Sequence, residues 1–367
     1  MMNGMELEKL ALNFIPNIGA VTVKNLVSYC GGLKNVFTAK KSKLKSIPGV
    51  GEVRANDIVN GMQKALKSAE QELKKLEGTD IKVVFYLDDD YPVKLKPYAD
   101  APLALYTRGQ MELNTSRFVA IVGTRKITPY GIIECEKLIE GLKAYDCTII
   151  SGLAYGVDTI AHRKSVELGI PTIGVLGNGI NRIYPATNKS LSTKMQAKGG
   201  LISEYPLDAK PDRENFPKRN RVIAGMSEVV VIIESAKKGG SIITAEYAND
   251  YNKDVFAIPG RVGDQMSEGC NNLIKHHKAH LCTSAEDIAE IMRWDKATTG
   301  VQMELVMELE EDEISLMKFI KEEPKIGLDS LHYKTKIPLA LLTTTLLNLE
   351  FKGLVKPLPG KKYILSR

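Results

Sequence analysis

The sequence predicts an α/β protein built on a parallel sheet, with a helical module before it and a small helix-and-hairpin module after it. Three observations carry this. Between residues 118 and 258, short apolar runs alternate with longer stretches of helical period. Strand, crossover and strand in succession give a parallel sheet with helices on both faces. Ahead of this region, two similar apolar-Pro-x-apolar-Gly turns each open a helical pattern; after it, three short helical patterns run into a hairpin signal.

The chain has 367 residues, a length that suits two or three domains. It is 44% hydrophobic and 26% charged, a globular balance that excludes wholesale disorder. Fifty basic against 44 acidic residues leave a net charge of +6, which admits a polyanionic partner without requiring one. The strongest apolar run, Val229–Ile233, is of strand length, so a transmembrane helix is excluded. Met1–Leu10 carries Glu6 and Glu8 and lacks the apolar stretch of a signal peptide. Five cysteines without a C-x-x-C pair read as reduced thiols of a cytoplasmic protein.

In chain order, Ile15-Pro16-Asn17-Ile18-Gly19 and Ile47-Pro48-Gly49-Val50-Gly51 form an internal repeat. Each puts a turn before a helix N-terminus, where a phosphate can sit. The repeat resembles the helix-hairpin-helix motif of DNA-binding proteins; the alternative is a plain helix turn in a small positioning bundle. Strands are expected at Phe118–Val122, Thr148–Ile150, Thr172–Leu176, Leu201–Ser203, Val229–Ile233 and Val255–Ile258, with helices at Tyr130–Ala144, Asp158–Leu168, Asn188–Lys198 and Ser241–Asn252. The nearly continuous apolar runs at 118 and 229 suit strands buried on both faces. Thr298-Thr299-Gly300 reads as a linker and is followed by an acidic stretch from Glu304 to Glu313. Three helical patterns and a hairpin around Pro359-Gly360 then give the layout of a winged helix, with Leu342, Leu346 and Leu349 as core.

In an open parallel sheet, ligands bind beyond the carboxyl ends of the strands. Four segments there suit an anion. Val122-Gly123-Thr124-Arg125 offers backbone approach and a guanidinium fork. Ser151-Gly152-Leu153-Ala154-Tyr155-Gly156-Val157-Asp158 leads into a helix N-terminus. Asp158 and His162, one turn apart, form an acid–base pair or, more simply, a helix cap and a local hydrogen bond. Asn215-Phe216-Pro217-Lys218-Arg219-Asn220-Arg221 places three cations beside an aromatic ring, suited to a phosphate backbone with a base stacked nearby. Phe216 is then either a stacking platform or core. Lys238-Gly239-Gly240-Ser241 opens a helix with an anion nest.

No G-x-x-x-x-G-K-[ST] and no G-x-S-x-G occur, which excludes a P-loop and a nucleophile elbow. The spacings of Cys270, His276, His277, His280 and Cys282 match no common zinc site, so no metal is expected.

These segments, with Tyr130-Gly131, Gly174-Val175-Leu176-Gly177-Asn178-Gly179, Tyr184-Pro185, Asn188, Ser203-Glu204-Tyr205-Pro206, Thr244-Ala245 and Pro259-Gly260, resemble the DprA/Smf family of bacterial DNA-processing proteins. The resemblance runs in order from about 118 to 282. It implies an extended Rossmann-like domain at residues 79–294. The flanks are a helix-hairpin-helix or SAM-like module at 1–78 and a winged helix at 303–367. It further implies a homodimeric recombination mediator that binds single-stranded DNA, protects it during natural transformation and loads a RecA-class recombinase, with no cofactor and no catalysis. Carried over, Arg125, Arg219 and Arg221 would contact DNA, with Asn220 and Phe216 beside them. Gly123, Ser151, Gly152, Gly156, Gly240 and Ser241 would shape the anion pocket. Relatives often carry a lysine where this chain has Ala186, so Lys189 or Arg182 would substitute; Gly239 stands where relatives often have serine.

Two other readings remain open at this point. Gly239-Gly240-Ser241 with Thr244 and Glu246 partly matches the element of a nucleotide hydrolase of the lysine-decarboxylase-like group. The winged helix, with Lys334, Lys336, Lys361 and Lys362, is the alternative reader of duplex DNA.

Overall fold

The computed structural model describes residues 4–115, 117–296, 311–323, 325–352 and 354–365. The linker expected at 298–300 and most of the acidic stretch, 304–310, lie outside the described residues. The chain divides into two compact units, with the boundary after Ala297.

The first unit opens with helices α1 (Gly4–Ala11), α2 (Ala20–Cys30), α3 (Leu33–Thr38), α4 (Lys41–Lys45) and α5 (Glu52–Leu76). The two repeated turns superpose in kind. Asn17 and Gly49, the same position of each, are left-handed at φ 61° and 81°, and Gly19 and Gly51 are extended N-caps without a capping side chain.

Two strands that the sequence reading missed follow, β1 (Lys82–Phe85) and β2 (Ala104–Arg108). Then come β3 (Phe118–Val122), α6 (Pro129–Leu142), β4 (Thr148–Ser151), α7 (Val157–Leu168), β5 (Thr172–Leu176), α8 (Lys189–Met195) and β6 (Gly200–Ser203). The unit closes with α9 (Asn215–Met226), β7 (Val229–Ile232), α10 (Gly240–Asp250), β8 (Asp254–Ala257), α11 (Glu268–Lys275), β9 (His280–Leu281) and α12 (Ala285–Met292). The sheet order is β1-β2-β6-β5-β4-β3-β7-β8-β9. From β6 to β9 every pairing is parallel. The antiparallel β2 and β1 extend the sheet at one side, which makes it mixed where the sequence suggested a parallel one.

The order fixes where a ligand belongs. Starting from β3, the chain winds through β4, β5 and β6 to one side, then returns to place β7, β8 and β9 on the other. Adjacent β3 and β7 are therefore the topological switch point, and their carboxyl ends diverge into a crevice.

Cores line both faces of the sheet. A further apolar cluster is continuous from the helical module (Leu12, Val23, Ile58, Ala69) into Phe85, Tyr106, Leu176 and Leu207. Polar ties reinforce it. Glu72 of α5 is buried and accepts the Leu207 N–H at 2.6 Å, and Lys24 donates to the carbonyls of Tyr98 and Ala99. The helical module thus packs with the sheet domain as one body.

The second unit holds α13 (Glu311–Glu322), β10 (Ile326–Gly327), α14 (Leu328–Thr335), α15 (Leu339–Phe351), β11 (Val355–Leu358) and β12 (Lys362–Leu365), with sheet order β10-β12-β11. This is the winged-helix layout. Leu342, Leu346 and Leu349 are buried in its core as their spacing predicts.

Candidate nucleic-acid interface

A cavity of about 570 Å³ opens at the switch point. The loop after β3, the segment after β4, Tyr184, Arg213, the start of α9 and the start of α10 all contribute to its walls, so segments far apart in the sequence converge there.

The β3 loop is held from below. Thr124 N donates to the Glu234 carbonyl at 2.8 Å. The buried Glu234 side chain accepts from Thr128 N at 2.9 Å and Thr128 Oγ1 at 2.5 Å, while Thr128 caps α6. Gly123 lines the cavity, but its lack of a side chain is set by packing: a Cβ there would run into Val157. Arg125 is exposed, and its guanidinium carbon lies 5.4 Å from the Phe216 ring centroid, a cation–π distance.

The segment after β4 contributes Ala154 and Asp158 to the cavity lining, whereas Ser151, Gly152 and Gly156 are not among the lining residues and act on the site through packing behind them. Ser151 is fully buried and donates to the Ile121 carbonyl at 2.6 Å, tying β4 to β3. Gly152 makes room for Arg219 and Asp158, and left-handed Gly156 (φ 75°) makes room for the Thr124 carbonyl. Asp158 is buried and accepts the Ala154 N–H at 3.2 Å. Burial pushes its carboxyl above the ordinary range, and the nearby Arg219 charge pulls it back. His162 Nδ1 pairs with Thr172 Oγ1 at 2.7 Å. Burial drives its imidazole down to about 3, so the ring is neutral. Of the two readings of Asp158 and His162, the structure shows local hydrogen bonds, but Asp158 does not cap α7: Gly156 is the N-cap and no side chain caps it.

Asn215–Arg221 is not a loop but the first two turns of α9. Pro217 is tolerated in a first turn, whose amides lack intrahelical acceptors. The helical turn splits the three cations. Arg219 faces inward, 4% exposed, and donates from Nη1 to the carbonyls of Gly152 (2.7 Å) and Val175. Arg221 turns away from the cavity and pairs with Glu204, both largely buried. Lys218 remains outside and pairs with Glu214. The expectation of adjacent free guanidinium groups in this element is therefore corrected. Phe216 and Asn220 do line the cavity, as does the buried Arg219 despite its carbonyl partners, and Gly240 and Ser241 of α10 line it too. α10 begins with no capping side chain, so its first amides are available to an anion. Lys189, at the start of α8, is exposed but does not line the cavity.

Among the lining residues that the site reading did not assign are Arg213 and Tyr184. Arg213 is exposed, with no acidic partner among the described residues. Its only sequence signal is a cation placed just before the phenylalanine-bearing helix. Glu246, which the hydrolase alternative needs, is exposed on α10 outside the lining.

An α/β protein with a doubly wound sheet and an open, cation-rimmed cavity at its switch point belongs to the Rossmann-like class. Comparison with known proteins narrows the class. A model of the family described as "DNA recombination-mediator protein A" matches residues 82–293, and a "DprA winged helix domain" matches 304–361. The chain belongs to the DprA/Smf family of DNA recombination mediators. It is 32% identical to Protein Smf of Synechocystis over 99% of both chains. It is 41% identical to DNA processing protein DprA of Streptococcus pneumoniae over 55% of this chain and 71% of that one. The crystal structure of the Streptococcus pneumoniae DprA covers 80% of this chain and 99% of that chain, at a TM-score of 0.66 and 30% identity. The Helicobacter pylori DNA processing protein A, described for its single-stranded DNA binding mode, matches with a TM-score of 0.54 and 28% identity, covering 59% of this chain and 99% of its own. Among the described residues, no helix is long and apolar enough to cross a membrane.

Proposed function

We propose that this recombination mediator binds single-stranded DNA at the switch-point cavity. The observation that carries the reading is Arg125, poised over Phe216 at the rim beside the uncapped start of α10. A site for a flexible polyanion without sequence preference needs amide nests, guanidinium groups and an aromatic surface more than base-edge readers. The single-strand binding described for the Helicobacter pylori relative supports the same reading. In this role the protein protects incoming strands during natural transformation and passes them to a RecA-class recombinase. It acts as a homodimer in the cytoplasm and performs no chemistry on the strand. The five buried free thiols suit that compartment.

The test is fluorescence anisotropy with oligo-dT across a salt series, alongside the protein's mass in solution. The logarithm of affinity is expected to fall linearly with the logarithm of salt, with a slope of about −0.7 per neutralised phosphate. Arg125→Ala combined with Arg213→Ala should lower affinity at least tenfold with the melting temperature kept. A double variant that binds like the parent would overturn the site.

A further inference from the structure

We infer that Tyr184 provides a nucleobase-stacking subsite, with Phe216 as its support and not itself the platform. The inference rests on the single-strand reading of the cavity. Phe216 was the natural sequence candidate for stacking, but its ring is already occupied. The Arg125 guanidinium lies over it at 5.4 Å, and a Cβ on Gly177 would sit 3.0 Å and 3.3 Å from two of its ring carbons, so the backbone there lies against it. Tyr184 packs against Phe216 with centroids 5.7 Å apart and planes tilted by 40°, and it is 45% exposed on the cavity wall. Its hydroxyl has no hydrogen-bond partner among the described residues, which leaves the outer part of the ring open to the cavity.

The loop that carries the ring is also held in place. Upstream, the buried Asn178 donates through Nδ2 to the carbonyls of Gly179 and Arg182, at 3.0 Å and 2.6 Å. Downstream, the buried Asn188 donates to the Leu153 carbonyl at 3.0 Å and to Thr159 Oγ1 at 2.8 Å. A loop tied down at both ends loses little backbone entropy when its aromatic residue engages a ligand. With Arg125 and Arg213 on the same cavity, phosphates would be gripped by the cations while an unpaired base lies on the tyrosine. Any base has a π-face, so the subsite tolerates all sequences but needs a base.

The experiment compares oligo-dT with an abasic oligomer of equal length, which keeps the phosphates and removes the bases. The parent should prefer oligo-dT. Tyr184→Ala should weaken oligo-dT binding by about tenfold to a hundredfold. It should leave abasic binding and the salt slope unchanged, and Tyr184→Phe should restore the preference. The inference is overturned if Tyr184→Ala binds oligo-dT like the parent. It is equally overturned if the variant loses both ligands alike, or if Tyr184→Phe behaves as the alanine variant does. Failure of the underlying site reading looks different: there the Arg125 and Arg213 variants bind both oligomers as the parent does.

Discussion

Gly152 and Arg219 share one small space. A Cβ at residue 152 would lie 2.5 Å from Arg219 Nη2, while Arg219 Nη1 donates to the Gly152 carbonyl at 2.7 Å. A glycine that reads as a phosphate loop is instead the seat of a buried cation, and that cation holds the start of α9 against the sheet.

Glycines around the cavity should therefore fall into two kinds. Gly152→Ala collides with Arg219 and Asp158 and should cost about 1–3 kcal/mol of stability, seen as a lower thermal midpoint. At Gly240 a Cβ meets nothing within 4 Å. Gly240→Ala should leave the midpoint unchanged or slightly raised, because alanine favours helix, yet weaken oligo-dT binding by about tenfold by narrowing the anion approach. Equal thermal effects of the two substitutions would contradict this division.

Arg221 should prove a stability residue. Its partner Glu204 is buried, and the second oxygen of that carboxylate, Oε1, has no hydrogen-bond partner among the described residues. Burial pushes the Glu204 carboxyl up and Arg221 restrains it. Arg221→Ala strips a buried carboxylate of its counter-charge, at a cost of about 3 kcal/mol. Denaturant unfolding should show that loss, and a companion Glu204→Gln should recover part of it. Single-strand affinity measured well below the melting temperature should stay near the parent value.

His162 should make the fold acid-sensitive. Its folded-state pKa of about 3 lies below the ordinary imidazole value of 6.5 because burial disfavours the charged ring. A depressed pKa contributes stability that is present above pH 6.5 and lost as pH falls from there toward 3. Thermal midpoints measured across that window should drop less steeply for His162→Gln than for the parent. Parallel curves would refute the assignment.

The parallel strands were legible because burial on both faces writes uninterrupted apolar runs, as in Val229–Ile232 and Phe118–Val122. β1 and β2 were not, since β1 pairs only with β2, β2 closes onto β6 nearly a hundred residues away, and a helical module covers them. α9 was obscured by Pro217 and by three cations that break the apolar period. Arg125 was readable as a rim cation because a strand-end loop exposes it. The inward turn of Arg219 was not, because only the folded chain brings the Gly152 and Val175 carbonyls to it. Tyr184 appeared only as part of a motif, since its place depends on the ring of Phe216.

The bond from Glu72 to Leu207 bears on how the polypeptide may be shortened. A fragment beginning at residue 79 would strip the greasy flank formed by Phe85, Leu103 and Tyr106 of its cover and leave the Leu207 amide without its acceptor. Such a fragment should clump unless those side chains are redesigned. The smallest well-behaved piece that keeps the cavity accordingly starts near the beginning of the polypeptide and stops before the winged helix.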